Sequence, residues 1–196
     1  MSAEQQSSSK SIRDSIPWLV TFLSYTDDVC KAVTEANRDW RMSDPQENWY
    51  LSLLEQVMHI ADSRFDVLAN IEDGLEESAT HQAWCTEFAS IKAPWKFREA
   101  KVEDVLASLA QARTKIDAWL DQPAAELLAI TDGSRKLFTK RIEDMKAGGK
   151  DTAALEKRGP TPVINMLLFL AAHEQSHRSL LQHHLRVSGN EVPRYA

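Results

Sequence analysis

The residues of this chain whose type and spacing could do chemistry are its histidines, His59, His81, His173, His177, His183 and His184. His173 and His177 are four apart, which on a helix puts them about 40° apart around the axis, so both imidazoles leave one face. Two imidazoles one turn apart can bind a single ion from one helix. Alone the pair says little, since an i, i+4 pair arises by chance in about one chain in five of this histidine content. The added weight comes from His59, which lies among Leu51, Leu54, Met58, Ala61 and Phe65 in the middle of a second helical pattern. If the two helices are neighbours, three imidazoles meet at one height in the core. Charged, they would repel one another; neutral, they would need several hydrogen-bond partners. A shared metal resolves that cost, so the expectation is one divalent ion on His59, His173 and His177.

The same stretch, His173-Glu174-Gln175-Ser176-His177, is an HExxH. In zinc proteases that motif supplies two ligands and a general-base Glu. Here the position that holds a helix-breaking Gly in the longer form is Leu180, and on an unbroken helix His183 lies about 240° from His177. No strand pattern offers a sheet edge for a peptide. An HExxH metallohydrolase is therefore the remote alternative. A di-iron site is also disfavoured, because Glu55 and His59 miss the Glu-x-x-His spacing. Glu174 is a candidate base or imidazole-orienting group. Glu55 and Asp62, each about one turn from His59, are candidates for the second role. Arg178 is a candidate binding residue for an anionic substrate or cofactor. His183 and His184 read as last-turn imidazoliums suited to the helix dipole, and His81 reads as a loop residue.

Four helical patterns must position these residues. The first spans about Ile16 to Asp39, with Leu19, Phe22, Leu23, Val29 and Val33 as its stripe. The second opens at Asp44-Pro45, with Glu47 at the capping-box spacing, and stops near Gly74, about 30 residues or roughly 45 Å. The third covers about Val102 to Leu120, after a looser aromatic stretch with Trp84, Phe88, Pro94, Trp95 and Phe97. Residues 124–145 read as short helices or partly strand-like, and residues 146–160 as an exposed loop. The fourth opens at Thr161-Pro162 and ends with Gly189 just past its C-terminus. Amphipathic helices of this length bury their stripes most simply as an all-α four-helix bundle, here with a long irregular connection before the last helix.

The 196 residues suit one domain, expected over 12–196 behind a disordered, Ser/Gln-rich tail at 1–11. A net charge of -6, with 23 basic residues scattered among 29 acidic ones, argues against a nucleic-acid partner. No apolar run is long enough to span a membrane, and no signal-peptide pattern opens the chain, which points to the cytoplasm. Cys30 and Cys85 form no metal-binding spacing and read as free thiols, with Cys85 beside Trp84 a lesser candidate for reactivity.

The residues Leu54-Glu-Gln-Val-Met-His59-Ile-Ala-Asp62, with Leu170-Ala-Ala-His173-Glu-Gln-Ser-His177-Arg178 and the closing Gly189-Asn-Glu-Val-Pro193, resemble the DinB/YfiT-like family of metalloenzymes. The resemblance covers roughly residues 44–75 and 161–195. It implies a four-helix bundle, usually a homodimer, with nickel or zinc on His59, His173 and His177. It further implies activity of the bacillithiol transferase or mycothiol-dependent maleylpyruvate isomerase kind, with a low-molecular-weight thiol as co-substrate. Three protein ligands leave a coordination position open, as catalytic sites do. The expectation is thus a metal-dependent thiol S-transferase or isomerase acting on a small molecule. The alternative is a non-catalytic, metal-stabilised binding or stress-response protein.

Overall fold

The computed structural model describes residues 10–42, 51–72 and 100–194. Its helices are α1 (Ile12–Ser15), α2 (Pro17–Cys30), α3 (Leu53–Glu72), α4 (Val102–Leu120), a 3-10 turn (Ala124–Leu128), α5 (Asp132–Ala147), α6 (Ala153–Arg158) and α7 (Val163–Val187). The only strand-like pairing among the described residues is an isolated bridge between Ser11 and Pro123. Helix α3 packs against α4 and α7, and α2 packs against the same two, so α2, α3, α4 and α7 close a four-helix ring; α5 adds to α3. No described helix is long and apolar enough to cross a membrane.

The helix boundaries show where local chemistry overrode periodicity. The first pattern does not run to Asp39. Helix α2 ends at Cys30, and Asn37 then organises a turn, accepting from the Thr34 N–H at 2.8 Å and donating to the Ala32 carbonyl at 3.1 Å. The second pattern starts at Leu53 rather than near Asp44, which makes a helix of 20 residues, about 30 Å long. A capping box sets that start: the Ser52 hydroxyl accepts the Glu55 N–H at 3.2 Å, and the Glu55 carboxylate accepts the Ser52 N–H at 2.6 Å. The expected cap at Asp44, Pro45 and Glu47 lies outside the described residues, as does the aromatic stretch.

Helix α4 has the expected bounds. The connection before the last helix is long but largely helical, and a strand-like reading of residues 124–145 is overturned by α5, capped by Thr131. The loop expected at 146–160 contains α6. Helix α7 closes as expected on Gly189, at φ +80°, with its N–H on the Arg186 carbonyl and that of Asn190 on the Leu185 carbonyl. Lys10 and Ser11, placed in the expected tail, are tied down: Ser11 caps α1, and the Lys10 carbonyl accepts the Ala124 N–H at 2.8 Å.

The apolar interior is split into two clusters. One includes Val29, Leu54, Phe65, Leu109 and Leu185, the other Leu23, Leu68, Ile116, Val163 and Leu170. At the boundary between them each helix of the ring contributes a charge: Asp27 from α2, Arg64 from α3, Arg113 from α4 and Glu174 from α7. Arg64 donates to both oxygens of Glu174, at 2.6 and 3.1 Å, and to Asp27 at 2.6 Å. Arg113 holds the other Asp27 oxygen at 2.8 Å and Asp117 at 3.0 Å, and Arg13 continues the alternation to Asp117 and Asp121. Arg64 and Glu174 have no exposed surface. Burial pulls the Arg64 pKa down, but the Glu174 and Asp27 charges more than reverse this, and the net shift is upward.

Removing one member of a buried pair leaves the other charge uncompensated, at a cost of about 3–5 kcal/mol. Glu174→Ala should lower unfolding stability in urea by about that amount. A loss below about 1 kcal/mol would mean that Arg64 is adequately served by Asp27 alone.

Candidate metal centre

The seam between α3 and α7 brings His59, His173 and His177 together. The ring centroids of His59 lie 5.0 Å from His173 and 4.3 Å from His177, and the last two are 4.5 Å apart. One nitrogen from each ring lies within 4.8 Å of the others, and all three residues are half-buried. The Nδ1 atoms of His173 and His177 are buried without a hydrogen-bond partner. A neutral imidazole left so is costly, and a cation among three imidazole donors would satisfy it. The residues present therefore fit a divalent ion.

The site sits at the edge of the bundle rather than at its centre. The buried stripe of α7 runs through Leu167, Leu170, Glu174, Arg178 and Leu181, with His173 and His177 on its shoulder. The central position at that height is taken by Glu174 and Arg64. Phe169, one turn before His173, stacks on that ring at 5.8 Å and 28° while 62% of it faces outward.

Burial and the neighbouring rings lower the pKa values of His59 and His177. That of His177 falls to about 4, through desolvation first and then through His59 and His173. That of His59 is lowered by desolvation and by His173, with Asp62 opposing. Both shifts favour the neutral imidazole, the form that binds metal, at His59 and His177.

The other candidates fall elsewhere. Both oxygens of Glu174 are bound by Arg64. Glu55 is buried in the capping box and paired with Arg41, neither orienting an imidazole nor standing in solvent. Asp62 acts on His59 electrostatically. The Arg178 guanidinium lies against α2, 4.2 Å from the Phe22 ring centroid and 4.8 Å from that of Tyr25, and reaches Thr26 Oγ1 at 3.4 Å. His183 is exposed at the end of α7, but His184 is not a dipole-stabilised imidazolium. It is fully buried, bonded through Nδ1 to Gln56 at 2.7 Å and edge-on to Trp40, and burial lowers its pKa. Cys30 is buried, with its thiol pKa pushed up by desolvation. Cys85 and His81 lie outside the described residues.

Sequence reasoning missed Arg64 and Asp27. The available signal was a charge on an apolar stripe: Arg64 occupies the helical face of Val57, Ala61, Leu68 and Ile71, all buried.

Fold and site together define an all-α bundle carrying a three-histidine cluster that could hold a metal ion at the seam of two neighbouring helices. The family model described as the DinB superfamily matches residues 19–181, and the chain belongs to that superfamily. Its structure is similar to the crystal structure of a DinB-like protein from Bacillus cereus ATCC 10987, with a TM-score of 0.57 over 95% of this chain and 98% of that one, at 13% identity. That likeness concerns the fold. No curated protein matches the sequence.

A histidine with a folded pKa near 4, against an ordinary value near 6.5, leaves the unfolded chain binding the extra proton between those values. The stability of the metal-free protein should therefore be full above about pH 6.5 and fall as pH drops toward 4. In urea titrations across this range, His177→Asn should flatten part of the slope; an unchanged slope would place the proton uptake elsewhere.

Proposed function

We propose that His59, His173 and His177 hold one nickel or zinc ion per chain, and that this ion is the centre of a thiol S-transferase or isomerase acting on a small molecule. The observation that carries the reading is the convergence of three imidazoles from two helices, two of them with unpartnered buried Nδ1 atoms. Among the described residues the cluster has three members, which suits an ion with a position left for water or substrate rather than a closed structural site.

A bound divalent ion would supply Lewis acidity, lowering the pKa of a coordinated thiol so that it can act as a nucleophile near neutral pH. The chain's own residues set the conditions. An imidazole binds metal as an uncharged ligand, so the ion would keep its full charge. The three histidines are half-buried, which limits competition from water without enclosing them. Phe169 offers an apolar face beside His173 against which a small electrophile can lie. Membership of the DinB superfamily supports the reading, and on the same resemblance the active form is a homodimer that uses a low-molecular-weight thiol.

A metallohydrolase gains no support. Its general base would be Glu174, which is fully buried with both oxygens engaged by Arg64. Arg178, against Phe22 and Tyr25, serves packing of α7 on α2 rather than an anionic ligand.

Untagged protein purified without chelator should contain about one nickel or zinc per chain by plasma mass spectrometry, and His59→Ala should lose it. Metal-loaded protein should then accelerate addition of a low-molecular-weight thiol to an electrophile. Failure to take up either metal, even after soaking, would remove the site. Full loading without acceleration by any such thiol would remove the transferase reading alone.

A further inference from the structure

Glu174 stands between His173 and His177 on α7, and Arg64 follows His59 by five residues on α3. The buried ion pair therefore joins the same two helices as the histidine cluster, within about one and a half turns of each of its members. Its two parallel contacts, at 2.6 and 3.1 Å, fix orientation as well as distance, because a planar guanidinium meets a carboxylate edge-on. Arg64 is held in turn by Asp27 of α2, which Arg113 of α4 holds from its other side, so Arg64 cannot simply follow a movement of Glu174. The histidines have no comparable attraction for one another: the buried Nδ1 atoms of His173 and His177 have no hydrogen-bond partner. Something other than the rings must keep them 4.3–5.0 Å apart.

We propose that the Arg64–Glu174 pair is a positioning device, fixing the rotation and register of α3 against α7 so that His59, His173 and His177 converge before any ion binds. The consequence for metal affinity rests on the metal-site reading above; the convergence itself does not. In this chain the Glu of the HExxH acts through the backbone of its own helix, placing the two ligands that flank it.

The discriminating variant is the double substitution Arg64→Met with Glu174→Met. It removes both charges together and leaves Asp27 paired with Arg113, so no buried charge is orphaned. Apolar replacement of a buried ion pair is often neutral for stability, which separates positioning from mere support of the fold. The urea midpoint should stay near that of the wild type. Zinc and nickel should bind about 10-fold or more weakly by calorimetric titration, the usual scale for loss of a group that orients metal ligands. The visible spectrum of the cobalt-loaded form should change.

A metal-independent readout accompanies these: nuclear Overhauser contacts between the ring protons of His59 and His177, present in the metal-free wild type and lost in the double variant. Should the double variant not fold, Glu174→Gln, which keeps the side-chain shape, takes the same measurements with the same expectations. A folded variant with wild-type affinity and intact ring contacts would overturn the proposal. A wild type that binds no metal would end the functional reading, while the ring contacts would still decide whether the pair positions the histidines.

Discussion

A guanidinium with no exposed surface sits at the centre of this bundle, and the arrangement of the interior depends on how that charge is answered. Taking an ion out of water costs several kcal/mol even after relaxation, roughly, so Arg64 is tolerable only if its donors meet carboxylates in good geometry. Glu174 takes two of them and Asp27 a third. Because the partners come from α7 and α2, and because Asp27 is shared with Arg113 of α4, one ionic layer draws all four helices of the ring to a common level. The apolar core falls into two clusters on either side of it.

That layer also explains where the histidines lie. Successive helix residues are about 100° apart, so with Glu174 directed at the centre, His173 is turned to the shoulder of α7 and His177 stays beside it. The three imidazoles meet at the seam of α3 and α7, half-buried, instead of in the middle of the core. A site at the seam can present an open side to solvent, whereas one in the middle of the bundle could not do so without breaking the packing. The half-buried position of the cluster thus follows from the residue beside it being the one the interior needs.

The polar groups around the site divide in the same way. Glu55, Glu174 and Arg178 all lie within a turn or two of a cluster histidine, and each is bound to something other than the cluster: a helix N-terminus, a buried arginine, and an aromatic pair on α2. Sequence proximity to a candidate ligand selects residues on the same helix, but a side chain's partner comes from whichever element packs opposite. His184 shows this plainly. Its place in the last turn of α7 suited an exposed cation, and its actual neighbours, Gln56 and Trp40, make it a neutral core residue.

By itself the sequence determined the all-helical class, the bounds of α4, the Gly189 terminus of α7 and the identity of the three histidines. Each of these follows from local information: apolar periodicity, a residue able to adopt positive φ, and imidazoles at a one-turn spacing. Even the true start of α3 was written locally, in Ser52-Leu53-Leu54-Glu55, though Asp44-Pro45 carried a competing signal. The tertiary structure alone decided the early end of α2, the burial of Arg64 and Glu174, and the placing of the histidines at a seam. Those depend on long-range partners, Asn190 for the Asn37 turn and Asp27 for Arg64, at separations of 153 and 37 residues. A charge on an apolar stripe can be read from sequence; the charge that answers it cannot, because it is supplied by another helix whose neighbour relations exist only once the bundle has formed.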